Sequence, residues 1–241
     1  MKRALLVIAK RPQPGKTKTR LTPLLSPEQA AQLYECFLLD TLDLARAVPG
    51  VNRFILYTPV NEAAYFAQLA PDFRLLGQHG QTLGERLDNA LTDCLNNGFD
   101  QVAIINSDGP TLPAAHISQT FTLLEAAEAV FGPSEDGGYY LIGLTRSQSR
   151  LLREVKMSTP TVLKDTLRLA KEEAVRVSLL PKWYDVDTFT DLQRLIRELE
   201  TLPDGVAVNT RQVLNDYLLN TQSKSVRKGT NHVRINRCPQ S

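Results

Sequence analysis

The chain has 241 residues, 42% of them hydrophobic and 22% charged, a composition suited to one globular core with at most a small appendage. No run of about 18 apolar residues is present, which excludes a membrane-spanning helix, and the basic, briefly apolar N-terminus lacks the cleavage site of a signal peptide. Three scattered cysteines, Cys36, Cys94 and Cys238, make neither a disulfide framework nor a metal knuckle; a reducing, cytoplasmic compartment is expected.

The net charge of +2 conceals an asymmetry. Residues 1–20 carry seven basic groups and no acid, residues 221–241 five and no acid, and the stretch between them sets 16 basic groups against 26 acidic ones. A body this acidic argues against a nucleic-acid-binding surface, which needs a positive stripe across the fold. The basic N-terminal loop calls instead for a local anion. The tail from residue 221, poor in apolar residues and without a period, is expected to be disordered, leaving residues 1–220 as one domain.

In chain order, the uninterrupted apolar run at residues 4–9 predicts a strand buried on both faces of a parallel sheet. Ser26, Pro27 and Gln29 form a capping box that opens a helix to about residue 47. Strand 53–57, helix 62–69, strand 74–76 and helix 83–96, stopped by Gly98, follow. Strand 102–105 leads through a turn to helix 113–127, strand 129–131, a glycine-bearing turn and strand 139–144. A helix begins at Thr159-Pro160, residues 175–180 form a strand, and Thr188 and Asp191 open a last amphipathic helix to about residue 200, with a short helix expected near 210–219. Strands alternating with helices imply βαβ units and a mostly parallel sheet covered on both sides.

In such a sheet ligands sit outside the carboxyl ends of the strands, so the loops there carry the chemistry. The first, residues 10–20, holds Lys10, Arg11, Lys16, Lys18 and Arg20 with Gly15 and two prolines. Its Gly-Lys-Thr lacks the leading glycine of a phosphate-binding P-loop, since Lys10 stands there. Lysines and arginines beside backbone N–H groups still suit a di- or triphosphate, so Lys10, Gly15, Lys16 and Thr19 are candidate substrate contacts. Asp108 follows strand 102–105 directly and fits either a hard cation such as Mg²⁺ (or Mn²⁺) or a helix cap. In Trp183-Tyr184-Asp185-Val186-Asp187-Thr188 the cap is already supplied by Thr188 and Asp191, which frees Asp187 for a ligand. Asp136 is a candidate acid, base or acceptor-binding group. The adjoining Gly137 and Gly138 fit close substrate approach or a tight turn equally. Gln78, Gly84 and Arg86 lie in a polar, glycine-bearing stretch that could line a nucleobase pocket. His79, His116 and His232 show no ligand spacing.

Taken together, Lys10-x-Pro-x-Pro-Gly-x-x-Lys18-Thr19-Arg20-Leu21, Ser107-Asp108-x-Pro110, Gly132-Pro133-x-x-Asp136-Gly137-Gly138-Tyr139-Tyr140 and Asp185-Val186-Asp187-Thr188 resemble the glycosyltransferase-like family of the nucleotide-diphospho-sugar transferase superfamily. The resemblance covers about residues 3–200. The Lys-Thr-Arg-Leu and Asp-Val-Asp-Thr segments are also similar to the 2-phospholactate guanylyltransferases of the same fold. It implies a three-layer α/β/α (GT-A type) fold with a mostly parallel mixed sheet, Lys18 and Arg20 in a phosphate-binding loop, Asp108 and Asp187 as metal-binding acids, and a nucleotide or nucleotide-sugar plus a small-molecule acceptor as partners. Nucleotidyl transfer and glycosyl transfer both stay open, and a non-catalytic nucleotide-binding module is the third reading.

Overall fold

Alternate residues of the first strand, β1 (Arg3–Lys10), enter two different cores: Leu5, Val7 and Ala9 face one, Ala4 and Leu6 the other. That is the burial of a central strand, and it accounts for the unbroken apolar run. The computed structural model describes residues 1–22 and 25–217. The expected basic tail lies outside the described residues.

After β1 come α1 (Pro27–Arg46), β2 (Val51–Thr58), α2 (Ala63–Leu69), β3 (Arg74–Gly77), α3 (Leu83–Asn96), β4 (Gln101–Ile105), α4 (Ala114–Leu123), β5 (Ala129–Pro133), β6 (Tyr139–Leu144), α5 (Ser149–Arg153), α6 (Val162–Glu172), β7 (Val177–Leu179) and α7 (Phe189–Leu199). Residues 208–217 are again helical. The seven strands form one sheet in the order β3-β2-β1-β4-β6-β5-β7.

Leu38 and Leu42 of α1, Phe66 of α2 and Phe121 of α4 cover one face. Leu87 and Leu91 of α3, Leu152 of α5 and Leu169 of α6 cover the other, so the fold is three-layer α/β/α. A third cluster joins Leu33 and Phe37 of α1 to Leu195 and Leu199 of α7 and to Val213 and Leu214. The capping boxes form as expected. Ser26 Oγ accepts from the Gln29 amide while Gln29 Oε1 accepts from the Ser26 amide, and Thr188 and Asp191 do the same at α7.

Two features differ from the sequence reading. The helix α5 was not expected; it is a five-residue turn of helix, too short to show a period, held by buried Leu151 and Leu152. α4 ends at Leu123, with non-helical turns through residues 124–126 before β5. The sheet is mixed because β6 runs antiparallel between β4 and β5, with Leu141 opposite Ile105. This reversal brings the start of β6, and the loop before it, to the edge where β1 and β4 end.

Candidate functional site

Three loops meet at that edge and are tied by backbone hydrogen bonds. The Val186 amide donates to the Asp108 carbonyl at 2.9 Å, the Asn106 amide to the Tyr140 carbonyl at 2.9 Å, and the Trp183 amide to the Pro133 carbonyl at 3.0 Å. The loop after β1 joins through side chains. The Lys10 amide donates to the Tyr34 hydroxyl at 3.2 Å, which pairs with Ser107 Oγ at 2.9 Å, and Ser107 Oγ donates to the Ile8 carbonyl at 3.0 Å. Tyr34 thus links the basic loop to the acidic one, and burial pushes its hydroxyl up to about 12.

At the centre stands Lys18. Its backbone is left-handed (φ 48°, ψ 42°), an uncommon state for a residue with a side chain and one that concentrates at functional sites. Its side chain is only 3% exposed, and its ammonium lies 2.6 Å from Asp108 Oδ1 and 2.8 Å from Asp187 Oδ1. Burial alone would lower the lysine pKa, but the two carboxylates outweigh it and hold it well above the ordinary value. Burial would likewise raise Asp187; the charges of Lys18, Arg20 and Lys10 hold it below the carboxylate range.

A third acid completes the cluster. Asp185, two residues before Asp187, accepts from Asn106 Nδ2 at 2.8 Å and from Ser134 Oγ at 3.3 Å. Its burial, with the Asp108 charge added, pushes it up to about 7. The sequence reading singled out Asp187 and passed over Asp185, although acids two apart on an extended segment point to the same side. Tyr34, Asn106 and Ser107 were also missed as supports, since their partners are distant in sequence.

Beside the cluster opens a cleft of about 420 Å³, lined among others by Lys10, Gln78, Asp108, Asp136, Gly138 and Asp185. Asp136 Oδ1 accepts from the Gly138 amide at 2.9 Å. Gln78 is buried, and its Nε2 bridges the Leu56 and Ala9 carbonyls at 3.0 and 3.3 Å, fixing the ends of β2 and β1. Gly15 (φ 73°) makes the exposed turn of the basic loop, with Lys16, Thr19 and Arg20 exposed around it.

Gly15, Lys16, Lys18, Thr19, Arg20 and Asp187 are not among the cleft-lining residues, and neither are Gly84, Gly137 and Arg86, whose contacts are structural. A Cβ on Gly84 would overlap the Leu152 carbonyl oxygen, and one on Gly137 that of Pro160, so both glycines serve close backbone packing. Arg86 donates to the Gly80 carbonyl at 3.1 Å and holds the turn before α3.

The donor set suits a hard divalent cation. Asp108 and Asp187 touch one ammonium, so they lie within reach of a common ion, and their side chains are 36% and 45% exposed toward incoming phosphate or water. Among the described residues no three acids converge closely enough to enclose an ion unaided. Magnesium does not require such a cage, because it takes one or two carboxylates and completes its shell with phosphate oxygens and waters.

Comparison places this architecture among known proteins. The chain superposes over 92% of its length, at a TM-score of 0.83 and 31% identity, on 98% of the crystal structure of a protein from Desulfovibrio desulfuricans G20 described as a nucleotide-diphospho-sugar transferase. The fold is therefore that of an α/β transferase. The chain belongs to the nucleotide-diphospho-sugar transferase family. It is 27% identical to the 2-phospho-L-lactate guanylyltransferase of Methanothermobacter thermautotrophicus over 92% of this chain and 93% of that one. Residues 41–159 match the family model described as an uncharacterized protein conserved in bacteria (DUF2064). A 4-diphosphocytidyl-2C-methyl-D-erythritol synthase from Anaerococcus prevotii shares the fold, with a TM-score of 0.56 at 11% identity over 82% of this chain and 96% of that one. Among the described residues no helix is long and apolar enough to cross a membrane.

Proposed function

We propose that this transferase moves a nucleotidyl group from a nucleoside triphosphate to a small acceptor, with a divalent cation held by Asp108 and Asp187. The observation that carries the reading is the buried Lys18 ammonium seated between those two carboxylates, of which Asp108 lines the cleft. The 27% identity to a guanylyltransferase along almost the whole chain supports the same reaction class.

Lys18 fixes the two acids in place, and Lys10, Lys16 and Arg20 offer cations on the side where β1 ends. Those groups bind and orient a triphosphate so that pyrophosphate leaves toward the basic loop. Catalysis of this kind is positioning and charge stabilisation more than covalent chemistry. Magnesium or manganese, when bound, supplies charge neutralisation on the transferred phosphate. Asp136, which also lines the cleft, accepts a proton from the acceptor.

Glycosyl transfer from a nucleotide-diphospho-sugar is the second reading, favoured by the description of the Desulfovibrio relative. The deciding experiment incubates the protein and Mg²⁺ with each nucleoside triphosphate or nucleotide-sugar and a pool of small alcohols, amines and phosphate esters, and follows products by ³¹P NMR. Pyrophosphate release supports nucleotidyl transfer; release of a nucleoside diphosphate with pyrophosphate absent overturns it.

A further inference from the structure

The charges along the cleft are unevenly divided. Among the described residues lining it, Lys10 is the one cation, against Asp108, Asp136 and Asp185. Lys10 stands on the side of the basic loop. A further limb of the lining is formed by Leu83, Tyr139, Met157, Ser158, Thr159 and Val162, and Asp136 is also part of the lining. Leu83 is 39% exposed there, and the Tyr139 hydroxyl is turned onto Met157 Sδ at 3.8 Å, which leaves an apolar ring and thioether on the wall. Of the cations closest in sequence, Arg86 holds the Gly80 carbonyl and Arg153 pairs with Asp88 and Asn89, while Lys156 is exposed and is not among the lining residues.

Asp136 adds an independent observation. Its Oδ1 is fixed by the Gly138 amide, and it has no ion-pair partner among the described residues. A phosphate monoester brought to this limb would meet a carboxylate and a mainly apolar wall whose polar groups are the Ser158 and Thr159 hydroxyls, with no guanidinium or ammonium among the lining residues there to receive it. A phosphate nucleophile also arrives ionised and has no need of a base. An alcohol does need one.

We propose that the acceptor carries no phosphate and presents a hydroxyl or amine nucleophile on an apolar body that lies against Leu83, Tyr139 and Met157. This rests on the transfer reading only in taking this limb as the acceptor's. For an alcohol, the oxygen lone pair forms a bond to the α-phosphorus, the bond from that phosphorus to the β-bridging oxygen breaks, and pyrophosphate leaves with the electron pair. The hydroxyl proton passes to Asp136 Oδ2 and from that exposed carboxyl to water.

The test uses three probes with one apolar body: benzyl alcohol, benzylamine and benzyl phosphate. Each is titrated into the full chain with Mg²⁺ and a non-hydrolysable nucleoside triphosphate, with contact read by saturation-transfer NMR and nucleotide binding measured in the same sample. The alcohol and the amine should bind about tenfold or more tightly than the phosphate ester, and Tyr139→Asp should abolish their contact while the nucleotide stays bound. Equal or tighter binding of benzyl phosphate overturns the inference, as does failure of all three probes while nucleotide is bound. If nucleotide does not bind but the alcohol does, the nucleotidyl-transfer reading fails and the apolar subsite beside Asp136 stands.

Discussion

Lys18 and Asp187 lie 169 residues apart in sequence and meet at 2.8 Å, with Asp108 on the other side of the same ammonium. One side chain from the loop after β1 therefore fastens the loop after β4 to the segment before α7. Lys18→Met keeps the length of the side chain and removes the charge. Losing one partner of a buried ion pair costs about 3–5 kcal/mol, but both acids are partly exposed and can rehydrate, so a loss of roughly 1–2 kcal/mol is expected in urea denaturation. Nucleotide affinity should fall as well. Wild-type stability from this pair should fade in two directions. The raised Lys18 contributes below the ordinary lysine value, and its share is lost as pH rises through the higher folded value. The lowered Asp187 contributes above the ordinary carboxylate value, and its share is lost as pH falls through the lower folded one. A mutant with an unchanged acid and alkaline profile would show that the pair does not stabilise the fold.

Asp185 should give the opposite pH signature. Its folded value, about 7, lies above the unfolded value of 3.8, so folding favours the protonated acid. The contribution is fully present below the unfolded value and is lost as pH rises through about 7. Asp185→Asn, measured without metal in EDTA, should therefore be more stable than wild type at pH 8 by on the order of 1–2 kcal/mol. The advantage should shrink toward pH 4. A difference independent of pH would assign Asp185 a purely packing role.

Gly84 and Gly137 separate packing from ligand contact. Gly84→Ala places a methyl group on the Leu152 carbonyl oxygen within a helix whose backbone alanine otherwise suits. A loss of about 1–3 kcal/mol is expected, the range for overpacking. Gly137→Ala should cost more, because a left-handed φ of 92° adds strain to the overlap with Pro160. A Gly84→Ala variant with full thermal stability but weakened nucleotide binding would return that residue to the binding site.

Those glycines illustrate where sequence reading stops. The alternation of strands and helices was legible because each element carries its own period and caps, as Ser26 with Gln29 and Thr188 with Asp191 demonstrate. Asp108 and Asp187 stood out because each follows a predicted strand or leaves its capping duty to a neighbour. Gly84 reads in sequence as a glycine at the start of a helix, in a stretch that could line a pocket; its need arises from Leu152, on a five-residue helix too short to leave a pattern. The Lys18 ion pairs and the placing of β6 between β4 and β5 are tertiary choices that local periodicity does not encode.

Tyr34 tests whether the two loops depend on one hydroxyl. Tyr34→Phe keeps the buried ring and removes the group that accepts from the Lys10 amide and pairs with Ser107. Stability should drop by about 1–2 kcal/mol, the cost of leaving buried partners unsatisfied, and the drop should come with weaker nucleotide binding. Calorimetric affinity at wild-type strength in a stable Tyr34→Phe protein would show that the loops hold their positions without it.

The metal proposal makes the sharpest demand. Asp108→Asn and Asp187→Asn retain shape and much hydrogen-bonding capacity, so a role limited to bonding Lys18 or capping should survive with a loss of about 1 kcal/mol. A role in holding a hard cation should not survive, because an ion bound by so few protein ligands depends on their charge. Each variant should remain folded and lose the Mg²⁺-dependent part of nucleotide affinity, on the order of tenfold or more. The measurement is a calorimetric titration of nucleoside triphosphate at several Mg²⁺ concentrations for wild type and both variants. Because Lys18 touches both acids, each single change also frees its ammonium from one charged partner, and nucleotide binding without metal should hold at or above the wild-type level in the variants. If both keep the wild-type Mg²⁺ dependence while folded, the ion does not sit on this pair, and Asp185, held by Asn106 and Ser134, becomes the acid to change next.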